Sequence, residues 1–398
     1  MMEINFIDVD YSQSFKEGQK ISGDVFLQTR ESSVDHVVCT LSDGLGSGVK
    51  ANVLANLTAN MAHRLSFSPL NLSKSAKIIM NTLPVCSQRK ISYSTFTIAD
   101  IRNTAEKKIN VQLVEYDNPN ALYFKKEKLI KLTPQKINLQ REGAQKEEVI
   151  RICSFDMEEG DRLIMFTDGV TQSGMGKGFA LGWREEGVAT YIASLIKEDP
   201  NISSRRLAEA INKKALSLDG FGAQDDITCA AIYIRKPRKT LVVTGPPFTK
   251  EKDYLLAKKI EEFEGKKIVS GGTTAQIVGR LFDKKVSVDL SSWSATVPPS
   301  STMEGIDLIT EGMLTLSKVA TALEEKKDPN RMANDAVKKF VSLLLDSDHV
   351  SFIVGTKINE AHQDPSIPVE IGIRRSIVGR LRTALEQIYL KETTLEYI

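Results

Sequence analysis

The sequence has little of what usually gives a function away quickly. It holds four cysteines, Cys39, Cys86, Cys153 and Cys229, with no pair spaced as zinc ligands or as a redox couple. Buried thiols in a reducing compartment are therefore expected, not a disulfide framework. The four histidines, His36, His63, His349 and His362, lie outside every acidic motif, which argues against zinc. No apolar run is long enough to span a membrane. The opening residues, MMEINFIDVDY, are acidic where a signal peptide would be basic and then apolar. A cytoplasmic protein without membrane contact is the expectation. Lysine and arginine (53) nearly balance aspartate and glutamate (51), so there is neither a basic footprint for nucleic acid nor an acidic tail.

What is present is length and pattern. A chain of 398 residues exceeds one ordinary core, so two domains are expected. The basic, proline-broken stretch RKPRK at 235–239 marks the boundary, giving domains 1–235 and 240–398. The first carries β-type runs at 4–9, 24–28, 37–41, 92–101, 111–116, 121–124, 161–167 and 227–234. Helical patterns fall at 47–65, 73–83, 187–196 and 203–216. The first of these has Val49, Val53, Leu54, Leu57 and Met61 on one face, read here as the core face. Strands without strict alternation predict an α+β sandwich. In the second domain, strands at 241–244, 267–269 and 286–290 alternate with helices at 250–264 and 308–325, predicting a smaller α/β domain.

LSDGLGSGVKANVLANL, residues 41–57, joins a strand to a helix through Gly44, Gly46 and Gly48. Read literally it approaches a dinucleotide fingerprint. The ribose acid expected about 20 residues on is missing, since residues 64–70 hold no acid and no clear strand. No Gly-Lys-Ser/Thr follows, which excludes a Walker loop. The alternative places the weight on Asp43, a carboxylate at a strand end beside a glycine whose carbonyl can approach a hard cation. Partners exist. GDRLIMFTDGV (160–170) ends a buried strand on Asp168, GAQDDITCAAIYI (222–234) opens a strand on Asp225 and Asp226, and ISGDVFL (21–27) opens one on Asp24. Each alone reads as a turn; together they read as carboxylates converging on one rim.

These motifs, with YSTFTIADI at 93–101, resemble the SpoIIE-like branch of the metal-dependent type 2C serine/threonine protein phosphatases over about residues 1–235. The resemblance implies an α-β-β-α sandwich with two Mn²⁺ or Mg²⁺ ions. It implies that Asp43 bridges the ions, that the Gly44 carbonyl and Asp24 serve the second, and that Asp168 and Asp225 serve the first. Asp43 and Asp168 would be the catalytic carboxylates, Asp226 a supporting residue behind the ligands, and metal-activated water the nucleophile. The implied substrate is a phosphorylated regulatory protein of the anti-anti-sigma type. The helix from residue 47 is implied as a switch and dimer element, making a homodimer a further expectation. One departure stands out: where many relatives carry Gly-His or Gly-Asn-Pro-Pro, this chain has VEYDNPNALYF (114–124), without histidine. Lys20 is the candidate phosphate-binding residue. The rival from another class is a phosphatase-fold interaction module with little catalytic activity.

In the second domain, Gly271-Gly272-Thr273-Thr274 follows a strand and opens a helix. Backbone amides and hydroxyls there could receive an anion, so a small-molecule ligand is expected alongside the structural reading of a plain turn.

Overall fold

Unbroken apolar runs demand cover on both faces of a strand, and alternating ones on a single face. In the computed structural model this rule builds two units, Met1–Lys236 and Pro237–Ile398. The structure describes residues 5–31, 36–67, 72–83, 94–103, 108–139, 148–289, 297–333, 335–357, 367–389 and 391–398. Cys86 and His362 lie outside them.

The first unit contains β1 (Phe6–Ser14), β2 (Asp24–Glu31), β3 (His36–Gly44), α1 (Gly48–Ser66), α2 (Leu72–Thr82), β4 (Ser94–Asn103) and β5 (Ile109–Tyr116). It continues through β6 (Leu122–Lys125), β7 (Lys128–Ile130), β8 (Gln135–Leu139), β9 (Glu148–Met157), β10 (Arg162–Phe166), α3 (Asp168–Thr171), α4 (Arg184–Glu198), α5 (Ser204–Leu218) and β11 (Ile227–Arg235). Two antiparallel sheets result, ordered β1-β11-β10-β6-β7 and β2-β3-β4-β5-β9-β8. Between them lies a shared core, with Ile7, Leu163 and Ile232 from one sheet and Phe26, Leu41 and Val111 from the other. Ile192 of α4 and Leu207 of α5 cover the outer face of the first sheet, against Phe166 and Ala231. Ala62 of α1 with Ile79 and Met80 of α2 cover the second, against Val38 and Ile98. The unit is thus α+β, an α-β-β-α sandwich.

Helix α1 corrects the reading of its pattern. Val49, Val53 and Leu57 are 64%, 59% and 47% exposed, while Ala51, Ala55, Thr58, Ala59 and Ala62 are buried. The reason is distance. A Cβ on Gly44 would stand 2.1 Å from the Ala51 carbonyl oxygen, and one on Gly23 would stand 3.1 Å from the Ala51 Cβ. Only a face of small residues lets the helix come that close to the sheet. The helix is also followed by another helix, α2, and not by the strand a dinucleotide unit requires.

The second unit contains β12 (Lys239–Thr244), α6 (Glu251–Glu262), β13 (Lys266–Ser270), α7 (Gly272–Phe282), β14 (Ser287–Val288), β15 (Ser301–Met303), β16 (Ile306–Thr310), α8 (Met313–Glu324), α9 (Ala336–Leu345), β17 (His349–Val354), α10 (Ile367–Gln387) and β18 (Glu392–Tyr397). Its sheet runs β14-β15-β16-β13-β12-β17-β18. Strands β16, β13, β12, β17 and β18 are parallel, and β15 and β14 add antiparallel at one edge. Leu256 of α6 and Val278 of α7 cover one face. Leu316 of α8, Phe340 of α9 and Leu381 of α10 cover the other. The segment 308–325, read from sequence as one helix, is strand to Thr310 and helix from Met313. Gly312, at φ +147°, makes the break between them.

Phe340 is fully buried in the larger of these two faces. Phe340→Ala is expected to destabilise the second unit by about 3–5 kcal/mol. Urea unfolding followed by a probe in that unit checks this; a loss below about 1 kcal/mol would show that the site collapses around the gap.

Candidate metal centre

The pairing of β2 with β3 sets Asp24 opposite Asp43. From the other sheet, β10 ends just before Asp168 and β11 begins just after Asp225 and Asp226. Hydrogen bonds to Asp24 join the sheets at this end. The hydroxyls of Thr167 and Thr228 both donate to Oδ2 of Asp24, at 2.8 and 2.6 Å. Neither threonine is marked by the sequence pattern, although each sits one residue from a motif aspartate or the residue after it.

Burial and like charge dominate the electrostatics. Asp24 is 3% exposed, and burial pushes its carboxyl up to about 8. The two threonine hydroxyls oppose that rise, while Asp226 and Asp168 add to it. Asp43 is raised well above the usual carboxylate range, first by burial and then by Asp24, Asp168, Asp225 and Asp226. Asp168 is raised by burial and by Asp225, against hydrogen bonds from the Gly169 N–H and the Gln172 side chain, the latter at 2.7 Å. Asp24, Asp43 and Asp168 are thus each raised by neighbouring carboxylates, which places them in one electrostatic field.

Asp226 is engaged differently. Its two oxygens accept the backbone N–H groups of Lys16 and Gly23 at 3.0 and 2.8 Å. It therefore clamps the segment leading into Asp24. Asp225 is more open, and its carboxylate pairs with Lys16 at 3.5 Å. Lys16, which no sequence motif marks, thus meets a carboxylate of this group.

The glycines are packing requirements. Besides Gly44, Gly169 has no room for a side chain, since a Cβ would stand 2.1 Å from the Asp226 carbonyl oxygen. The Gly44 N–H donates to the Gly23 carbonyl at 3.2 Å. Gly23 itself was not flagged by sequence; a Cβ there would meet Asp226 Oδ2 at 3.1 Å. Gly44→Ala is expected to cost about 1–3 kcal/mol by forcing α1 off the sheet, and to weaken Mn²⁺ binding although no ligand side chain is removed. Thermal unfolding and metal titration check both; wild-type values in each would show that α1 yields freely.

The turn that departs from the family pattern also reaches this end. Asp117 adopts φ +55° and adds to the rise of Asp168. Behind it, the side-chain N–H of Asn118 donates to Thr97 Oγ1 at 3.1 Å, and Arg151 donates to the Asn118 carbonyl at 2.7 Å. This hydrogen-bonded turn thus carries a further carboxylate, Asp117, that lies outside the acidic motifs.

Among the described residues, no group of three or more His, Cys, Asp or Glu side chains is gathered closely enough to hold one ion. The donor chemistry nevertheless suits a hard divalent cation: carboxylate and carbonyl oxygens, without thiolate or imidazole. A cation is also what would reverse the raised pKa values of Asp24, Asp43 and Asp168. His36 hydrogen-bonds Asp100 at 2.9 Å, and Cys39 and Cys229 are buried free thiols.

The family model described as Stage II sporulation protein E (SpoIIE) matches residues 33–235, just over half of the chain. Among solved structures, the chain is similar to the PP2C phosphatase domain with a regulatory-domain fragment of SpoIIE from Bacillus subtilis. That match has 17% identity and a TM-score of 0.47, covering 59% of this chain and 65% of that one. The chain therefore spans less than two thirds of that structure. It is also similar to the RsbU and RsbW domains of a Mycobacterium tuberculosis protein, with 16% identity, a TM-score of 0.45, and coverage of 65% and 68%. A third match is RsbX in complex with magnesium, with 16% identity, a TM-score of 0.41, and coverage of 57% and 95%. No protein of curated function matches the sequence.

Proposed function

The chain belongs to the SpoIIE family of type 2C phosphatases, and we propose that it hydrolyses phosphoserine or phosphothreonine on a regulatory protein, using two divalent cations, Mn²⁺ or Mg²⁺. One observation carries the proposal: Asp24, Asp43 and Asp168, from both sheets, lie at one end, where Asp168 adds to the raised pKa of both Asp24 and Asp43. In this reading Asp43 and Asp168 are the catalytic carboxylates, and Asp43 would serve both ions. Asp24, Asp225 and the Gly44 carbonyl complete the donor set, and Asp226 holds the backbone behind them. When bound, the ions supply a water of lowered pKa and offset charge on the phosphoryl oxygens.

The chain's own residues do the positioning. Thr167 and Thr228 fix the Asp24 carboxylate, and Gln172 orients Asp168. The contact of Ala51 with Gly44 ties α1 to the Asp43 loop, so a partner that displaced α1 would displace the catalytic carboxylate with it. That link is the basis for assigning α1 a switching role, with the exposed Val49, Val53 and Leu57 as the surface such a partner, or a second copy of the chain, would meet. The substrate is assigned as a phosphorylated regulator, and the second unit as the seat of a small-molecule ligand.

A second reading, a phosphatase-fold interaction module, is favoured by one observation: no three acidic side chains of the described residues are gathered around a point. Hydrolysis of a phosphoserine peptide and of p-nitrophenyl phosphate, with and without Mn²⁺, separates the two. Metal-dependent turnover supports the phosphatase. Metal binding without turnover of either substrate, with or without added partner, supports the module.

A further inference from the structure

At the carboxyl edge of the parallel sheet in the second unit, three neighbouring strands run into glycines with positive φ. Gly245 follows β12 at +81°, Gly271 follows β13 at +136°, and Gly312 lies just past β16 at +147°. The loops touch. A Cβ on Gly271 would stand 3.9 Å from the Gly245 nitrogen, and one on Gly312 would stand 3.6 Å from the Gly271 Cα. The Gly271 and Gly272 N–H groups donate to the carbonyls of Thr310 and Glu311, and Thr310 Oγ1 donates to Ser270 Oγ. The β13 and β16 loops are thereby locked to each other.

Two helices start from this edge, α7 from Gly271 and α8 from Gly312, and neither has a side-chain cap. Their ladders begin with Ala275 N–H to Gly271 and Leu316 N–H to Gly312. The N–H groups of Thr273, Thr274, Met313, Leu314 and Thr315 therefore lie ahead of any intrahelical acceptor. The two starts share a pattern, Gly-x-x-Thr, at 271–274 and 312–315. Thr274 and Thr315 are both fully buried, and neither hydroxyl has a hydrogen-bond partner. Among the described residues only one other buried threonine hydroxyl, that of Thr40, is in this state. Thr274 Oγ1 lies 3.3 Å from where a Gly271 Cβ would stand, so it faces the mouth of its helix. Buried hydroxyls are ordinarily satisfied, and two unsatisfied ones at matched positions of adjacent helix starts point to a shared acceptor.

We propose that this edge is a binding site for the phosphate group of a small phosphorylated molecule. The first-turn N–H groups of α7 and α8 and the hydroxyls of Thr274 and Thr315 are its donors. Helix N-termini favour anions, and open α/β sheets bind ligands beyond the carboxyl ends of their strands. Donors arriving from two helices suit the spread oxygens of a tetrahedral phosphate better than a planar carboxylate. At the start of α7, the half-buried Gly271 and the exposed Gly272 put no side chain over the backbone. Glu311, the one carboxylate in the two loops, is exposed. The proposal gives the small-molecule reading of the second unit a chemical class. Binding is read directly, so it stands apart from any effect on phosphatase activity.

The test titrates inorganic phosphate into the full chain, kept metal-free with EDTA so that the first unit does not compete, and follows backbone amide resonances. Saturable shifts are expected at Thr273, Thr274, Leu314 and Thr315. Thr274→Val with Thr315→Val should weaken binding by at least about tenfold, while the two Thr→Ser changes together and Asp43→Ala should each preserve it. No shift at these amides up to about 10 mM phosphate, shifts confined to other residues, or equal affinity in the valine and serine pairs would overturn the site.

Discussion

Asp43→Ala should lower Mn²⁺-dependent turnover of a phosphoserine peptide by a factor on the order of 10³ or more. Asp24, Asp168, Asp225 and Asp226 all raise its pKa. It also sits on the β3 end that meets both β2 and the start of α1. Removing it should abolish the shared contact between the two ions, so the loss should fall on kcat and on metal affinity together. The fold should survive, because the β2–β3 ladder at this point is made by backbone groups. A variant that kept more than about a tenth of wild-type turnover would show that Asp43 is not the bridging carboxylate.

In metal-free protein at pH 8, Asp24→Asn should be more stable than wild type, by at least about 1.4 kcal/mol, the equivalent of one pKa unit. The sign follows from the direction of the shift. Asp24 is raised from an ordinary value of 3.8 to about 8 in the folded chain. The fold therefore favours the protonated carboxyl. The stability this supplies is fully present below the unfolded pKa near 4 and is lost as pH rises towards 8. Asparagine stays neutral and keeps an acceptor for Thr167 and Thr228. The advantage of the variant should therefore vanish near pH 4 and grow to pH 8. Added Mn²⁺ should reverse the order, since the ion stabilises the ionised carboxylates of wild type. Thermal unfolding across pH 4–8 with EDTA or Mn²⁺ reads both effects. Curves for the two proteins that stay parallel throughout would mean that Asp24 is ionised in the metal-free fold.

Much of the first unit was legible because its strands are strongly patterned and its aspartates sit at their ends. Asp24, Asp43, Asp168 and Asp225 could be picked out as candidates to converge on one rim. Packing distance was not legible. The apolar stripe of Val49, Val53 and Leu57 is a sound helical signal, yet the buried face is the alanine face, because Gly23 and Gly44 let α1 approach only on small side chains. Periodicity detects a helix but cannot say how near its axis comes to a sheet. Likewise, Thr167, Thr228 and Lys16 carry no motif of their own, and only the meeting of two sheets makes them neighbours of the carboxylates. In the second unit the run 308–325 looked like one helix because Leu308 and Ile309 fit either period. The parallel pairing of β16 with β13 decides otherwise.

The two units raise separate expectations. The first rests on carboxylates that repel one another; the second rests on helix starts that offer unused donors. If both hold, one chain joins removal of a protein phosphate to sensing of a small phosphorylated molecule. The phosphate titration and the Mn²⁺ experiments can fail independently.

Isothermal titration of Mn²⁺ into metal-free protein, in two buffers of different ionisation enthalpy, tests the central claim most directly. The expected result at pH 7 is binding of two ions with release of protons, lost or reduced to one ion in Asp43→Ala. No binding by wild type, or equal binding by the variant, would contradict a metal centre built on these aspartates.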